Sequence, residues 1–235
     1  MKQGKSELVC VLDRSGSMGT IKADAIGGFN SMIESQRADL QGGEECNVSV
    51  YLFDNKYEVL YEGVNLTECD LLNDETFVPR GTTALLDAVG RTIDAVGARL
   101  AATPEDDRPE NVVVAIITDG EENASQEYTY DRIAEMIDLQ KNTYSWDFMF
   151  LAANIDASAV AKAMNIELGS TFAYTADSLG ASAAYDAVSR GFSKGRRGQT
   201  VDLTPDVTDF SLEDVDQGED FSLEGDNQDV VLEET

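Results

Sequence analysis

The chain has 235 residues, 45 acidic and 17 basic side chains, a net charge of −28, and no histidine. An apolar fraction of 42% is enough for a hydrophobic core, which excludes a wholly disordered protein. The missing histidine excludes Ser-His-Asp and Cys-His catalysis and any zinc site built on imidazole, and the charge argues against binding nucleic acid or anionic membranes.

In chain order, Glu7 to Leu12 reads as a short buried strand, and Ile26, Phe29, Ile33 and Leu40 follow at helical spacing. Asn47 to Phe53 and Tyr57 to Tyr61 are rich in β-branched and aromatic residues, and Asp54-Asn55 between them suits a hairpin turn. Leu85, Val89, Ile93, Val96 and Leu100 mark a second amphipathic helix. Asn111 to Thr118 is a continuous apolar run, as expected for a central strand covered on both faces. Ile133, Met136 and Ile137 place a third helix, and Trp146 to Ala152 another strand. A helix at 157–164, a strand near 170–174 and a helix carrying Tyr185, Val188 and Phe192 complete the set. This alternation predicts an α/β fold, with a doubly wound, mainly parallel six-stranded sheet, one antiparallel edge strand and helices on both faces.

Composition breaks near residue 198. Residues 199–235 hold thirteen acidic side chains and no basic one, leaving residues 1–198 at −15. The expected division is therefore a folded domain over 1–198 and an acidic, disordered tail over 199–235. The tail repeats one element, Asp209-Phe210-Ser211-Leu212-Glu213 and Asp220-Phe221-Ser222-Leu223-Glu224. It serves either solvation or docking. Cys10, Cys46 and Cys69 are an odd set without a C-x-x-C pair, consistent with a reducing, cytoplasmic location. Neither a signal peptide nor a membrane-spanning stretch is read.

Three polar clusters lie in positions that could meet at the carboxyl ends of the strands, the usual ligand edge of an open α/β sheet: one ends the first strand, one precedes the second helix and one ends the central strand. They are Asp13-Arg14-Ser15-Gly16-Ser17-Met18-Gly19, Arg80-Gly81-Thr82-Thr83-Ala84, and Thr118-Asp119-Gly120-Glu121-Glu122-Asn123. Oxygen-only donors suit a hard divalent cation, magnesium first, then manganese, with calcium also compatible.

Asp13-x-Ser15-x-Ser17, then Thr83, then Asp119-Gly120 resembles the metal-ion-dependent adhesion site of von Willebrand factor A domains. The resemblance runs from residue 6 to about 193 and is strongest to stand-alone bacterial and phage members. It implies that Ser15, Ser17 and Thr83 bind a metal directly, while Asp13 and Asp119 act largely through water. It also implies an open coordination position, which a partner's Asp or Glu carboxylate completes. Partners of such domains include AAA-type ATPases.

Arg14, Glu121, Asn154 and Asp156 are candidate rim residues for a partner. Three of these have a plainer reading: loop rim without a partner for Arg14, helix start or solvent for Glu121 (and for its neighbour Glu122), and N-cap for Asp156. Glu213 or Glu224 in the tail could supply the carboxylate in place of a partner, since tethering gives effective concentrations around millimolar. The reading reached is a divalent-cation-dependent protein-binding module without enzymatic activity. One alternative is an assembly subunit in which the metal serves stability. The other is a metal-dependent phosphatase, which normally needs a second carboxylate two residues after the first, where this chain has Ser15.

Overall fold

The computed structural model describes residues 1–204. Its elements are β1 (Lys2–Asp13), α1 (Lys22–Ala38), β2 (Glu45–Phe53), β3 (Tyr57–Asn65), α2 (Leu85–Ala102), β4 (Pro109–Thr118), α3 (Tyr130–Tyr144), β5 (Trp146–Ala153), α4 (Ala157–Ala163), β6 (Thr171–Tyr174) and α5 (Ser178–Arg196). The strands form one sheet in the order β3-β2-β1-β4-β5-β6. All neighbours are parallel except β2 and β3, an antiparallel hairpin at one edge. No helix among the described residues is long and apolar enough to cross a membrane.

Side chains on successive residues of a strand point to opposite faces, and both faces here are covered. Leu8, Cys10 and Leu12 of β1 and Val113, Ala115 and Ile117 of β4 pack with α1 and α5. Val9 and Val11 of β1 and Val112, Val114 and Ile116 of β4 pack with α2, α3 and α4. Burial on both sides is why these strands read as unbroken apolar runs. On the first face α1 and α5 approach closely at Gly28, where an added Cβ would sit 2.3 Å from the buried Tyr185 ring.

Strand order reverses at β1, which has β2 on one side and β4 on the other. Leu12 lies opposite Ile117, so Asp13 and Thr118 end these two central strands at the same level. The crevice between them is the expected ligand edge of a doubly wound sheet.

Three features depart from the expected outline. The first strand begins at Lys2 rather than Glu7, because Lys2 and Ser6 pair with Pro109 and Asn111, and Lys5 with Glu45; these polar residues carry no apolar alternation to reveal a strand. The boundary expected at 198 falls six residues early, since the compact unit runs to Thr204. Val201 and Leu203 are buried in the core, and Ser170 Oγ donates to Val201 O while Leu203 N–H donates to Gly169 O. Finally, the long connection from Leu66 to Ala84 has no helix or strand of its own. It is tied down nonetheless: Leu66, Cys69, Leu72 and Phe77 are buried in the first cluster. Asn30 exchanges two hydrogen bonds with the Leu72 backbone, and Arg37 Nε donates to Leu66 O. Irregular connections of this length are uncommon unless functional; this one ends at Thr83.

Asp147, the second residue of β5, is half-buried, and burial pushes its carboxyl up to about 6, opposed by Lys141 and reinforced by Glu167. A carboxyl raised in the folded state favours folding below its unfolded value, roughly 3.9, and that contribution is lost as pH rises through about 6. Asp147→Asn should therefore gain Tm over the parent chain progressively between pH 4 and pH 6, then hold a constant lead. A lead that is equal at pH 4 and pH 7 would refute this.

Candidate metal site

Asp13 is fully buried at the end of β1. Its Oδ1 accepts the Ser15 backbone N–H at 2.6 Å, which turns the chain back over the strand end. Its Oδ2 accepts Thr118 Oγ1 at 2.6 Å, a bond across to the neighbouring central strand. Sequence reasoning missed Thr118 as this anchor; its place on the strand directly before Asp119 was the available signal. Burial pushes the Asp13 carboxyl up to about 6 against the pull of the Thr118 and Ser15 bonds, and the negative charge of Asp119 adds to the rise.

Ser15 and Ser17 lie 3.1 Å apart at their hydroxyl oxygens, and Ser17 Oγ donates to Asp119 Oδ1 at 2.7 Å. Asp119 is 2% exposed and its other oxygen, Oδ2, is buried without any hydrogen-bond partner. Burial raises this carboxyl as well. A Cβ added to Gly120 would stand 3.4 Å from Thr83 Oγ1 and 3.6 Å from Ser17 Oγ. Gly120 thus lies within ordinary contact range of both hydroxyls.

Thr83 is held by its backbone. Its N–H donates to Asn123 Oδ1, and its carbonyl accepts the Asn123 N–H, both at 3.0 Å. The loop after β4 is strapped to the start of α2 by two carboxylates. Glu122 accepts from the Leu86, Ala124 and Ser125 N–H groups, so it caps α2 from a distant loop. Asp87 accepts from the Gln126, Glu127 and Tyr128 N–H groups. Burial alone would raise the Asp87 carboxyl, but those three donors hold it below its ordinary value. Tyr174 Oη donates to Thr118 O at 3.0 Å and closes the β6 side.

The structure therefore brings Asp13, Ser15, Ser17 and Asp119 into one bonded set, with Thr83 Oγ1 facing it across Gly120. Of the candidate rim residues, Glu121 is exposed. Asn154 is exposed at a positive φ of 59° and donates from Nδ2 to Asp119 O, so it borders the site. Asp156 caps α4, accepting the Ala159 N–H at 3.0 Å. Arg14 is not at the rim. It is 2% exposed and turned inward, to Asp54 and Glu58, because a guanidinium next to two carboxylates is better paired than solvated at a loop edge. Glu213 and Glu224 lie outside the described residues. The basic cluster near the end of α5 is consumed by pairing, Arg196 with Asp39 and Glu44, and Arg197 with Asp39.

Two facts test whether this donor set suits a divalent cation. A buried carboxylate oxygen with no partner is costly in a dry site, and two neighbouring carboxyls both pushed upward are jointly relieved by one positive charge. Among the described residues no cluster of three or more His, Cys, Asp or Glu side chains could hold a metal. A cation site here is thus hydroxyl-rich, and three hydroxyls with two carboxylates fit magnesium-type coordination. The residues present fit the ion.

The sequence matches no protein-family model and no curated protein. Solved structures do resemble the fold. Proximal thread matrix protein 1 from the mussel byssus, with a zinc-occupied MIDAS motif, matches with a TM-score of 0.56 and 14% identity, over 81% of this chain and 46% of that one. A von Willebrand factor type A protein from Catenulispora acidiphila matches with a TM-score of 0.52 and 14% identity, over 81% and 43%. The manganese-loaded Plasmodium vivax TRAP protein matches with a TM-score of 0.53 and 18% identity, over 78% and 73%. The chain spans less than half the length of the first two. These likenesses define a class of protein by its fold: a doubly wound α/β sheet with loops gathered at its central switch point. In fold, residues 1–204 are a von Willebrand factor A-like domain.

Proposed function

We propose that the domain is a divalent-cation-dependent protein-binding module, in which Ser15, Ser17 and Thr83 hold the ion and Asp13 and Asp119 neutralise it. The observation that carries this reading is the buried, unpartnered Oδ2 of Asp119, a carboxylate whose other oxygen accepts Ser17 Oγ and whose neighbour Gly120 lies against Thr83 Oγ1. Magnesium is the leading candidate, with manganese and calcium compatible; relatives in fold carry zinc and manganese. Bound there, the ion supplies a Lewis-acidic contact for a carboxylate oxygen of a partner protein.

The chain's own groups set the terms of that contact. Neutral hydroxyls leave more positive charge on the ion than carboxylates would, and Thr118 and Ser15 orient Asp13 without exposing it. Asn154 and Glu121 border the approach. A partner with overall positive charge and one projecting Asp or Glu suits a chain of net −28, since repulsion is screened beyond about 8 Å at physiological salt. The family resemblance adds an AAA-type ATPase as a partner class, and the carboxylates of Glu213 or Glu224 are an internal source of the same ligand. No nucleic-acid, membrane or enzymatic role is assigned: Ser15 replaces the acid that phosphatase chemistry would use. A reducing, cytoplasmic setting belongs to the same reading, supported by three buried free cysteines.

Affinity capture from the native host tests it, run in magnesium and again in chelator, beside a calorimetric titration of the bait with magnesium. The parent chain should retain a protein in magnesium that is lost in chelator and lost with a Thr83→Ala bait. Removal of residues 205–235, which spares the buried Val201 and Leu203, should raise that retention if the tail competes. Identical capture in all conditions would overturn the reading.

A further inference from the structure

Three chain segments around the candidate metal site converge on one carboxylate that is not among its ligands. Asp54, in the turn between β2 and β3, is fully buried. Its Oδ2 accepts Arg14 Nε at 3.2 Å and Arg80 Nε at 2.9 Å, and its Oδ1 accepts the Lys56 N–H at 2.7 Å. Arg14 continues to Glu58 on β3, Nη2 to Oε2 at 2.6 Å. Backbone bonds run alongside: Arg14 N–H to Phe53 O at 2.7 Å, Arg80 N–H to Arg14 O at 2.8 Å, Ala84 N–H to Asp54 O at 3.0 Å, and Gly16 N–H to Gly81 O at 3.2 Å. Gly81 has φ +68°, and a Cβ there would stand 2.3 Å from Asn55 Oδ1. Glycine adopts this backbone without strain.

Arg14 immediately precedes Ser15, and Arg80 lies three residues before Thr83. We propose that Asp54 is a positioning residue for the metal site. Its carboxylate clamps Arg14 to Arg80, and so sets the spacing between the Ser15–Ser17 hydroxyls and the Thr83 hydroxyl without touching the ion. The need for such a clamp follows from the chain path. Thr83 ends the long irregular connection that starts at Leu66, so no helix or strand fixes it from the amino-terminal side. The two guanidiniums meet at one carboxylate oxygen, which offsets their mutual repulsion. Without it, Arg14 and Arg80 share only Glu58, with Arg80 Nη2 at 3.7 Å, and the two loops keep only their backbone bonds as a direct link. This inference rests on the metal-site reading above.

The test is manganese binding to the full chain, read as free Mn²⁺ by electron paramagnetic resonance at fixed ionic strength, with thermal melts in chelator. Asp54→Asn and Arg80→Gln should each weaken Mn²⁺ affinity at least tenfold. Arg80→Gln is the decisive variant, because Arg80 is half-exposed and its replacement leaves the core intact. It also removes a positive charge, so electrostatics alone predicts tighter metal binding, whereas loss of positioning predicts weaker. Arg91→Gln, a cation paired with Glu127 outside the clamp, should stay within twofold of the parent chain. A merely structural role would lower the chelator melting temperature and leave the affinity untouched. Arg80→Gln binding as tightly as the parent, or tighter, overturns the proposal. A parent chain that binds no Mn²⁺ overturns the metal-site reading itself, a separate result.

Discussion

Asp119→Asn should abolish the magnesium-dependent part of this protein's stability while raising its stability in chelator. The first effect follows from the buried, unpartnered Oδ2, which the variant replaces with part of a neutral amide. A ligand present at a hundred times its dissociation constant stabilises by about 2.7 kcal/mol, and the variant should show none of that increment. The second effect follows from the burial of Asp119 beside Asp13, with both carboxyls pushed upward. A neutral side chain removes one desolvated charge and its repulsion with the other. Denaturant melts with and without magnesium measure both. A variant that keeps the parent's increment would remove Asp119 from the site.

Arg99→Ala should be strongly destabilising although it lies away from that site. Glu7 of β1 is fully buried, and its Oε1 accepts from Ser49 Oγ at 2.8 Å and from Arg99 Nη2 of α2. Its Oε2 has no partner. Ser49 in turn accepts the Gly63 N–H at 2.8 Å, where the pairing of β2 with β3 shifts register. Removing the guanidinium strands a carboxylate inside the sheet-to-helix layer, and breaking a buried pair from one side costs about 3–5 kcal/mol. The lower end, about 3 kcal/mol, is expected here because the Arg99 side chain is 28% exposed. Replacing both partners, as Glu7→Leu with Arg99→Leu, should recover most of the loss, since apolar substitutes leave no charge to compensate. Urea unfolding of the three variants decides it; an Arg99→Ala cost under about 1 kcal/mol would show that Glu7 is satisfied by other means.

How much of this was readable beforehand varies by residue and for physical reasons. The central strand at 111–118 and the helix over 85–100 announce themselves through apolar runs and periodicity, which are local properties of the chain. Asp13, Ser15, Ser17 and Asp119 stand out where polar residues end apolar strands, and Thr83 joins them through the resemblance of the whole pattern to an adhesion-site motif. Arg14 illustrates the opposite case. Nothing within its own loop shows that its partner is Asp54, forty residues away, so a charged loop residue looks like a rim residue. Glu122 has the same character: it caps a helix, but α2, which precedes it, rather than the helix that follows. Val201 and Leu203 were assigned to the tail because acidic composition dominates that window, yet two apolar side chains found places under β6 and α5.

By itself, then, the order of residues determined the alternation of strands and helices, the two-sided burial of the central strands, and the polar clusters that end them. Those outcomes depend on patterns a few residues long. The tertiary structure decided which carboxylates are spent on holding loops and helix ends, namely Asp54, Asp87 and Glu122, and which keep a buried oxygen unclaimed, Glu7 between sheet and helix and Asp119 at the candidate site. That division depends on who meets whom across forty to a hundred residues, and pairing at such distances is settled only when the sheet brings the ends of β1 and β4 side by side.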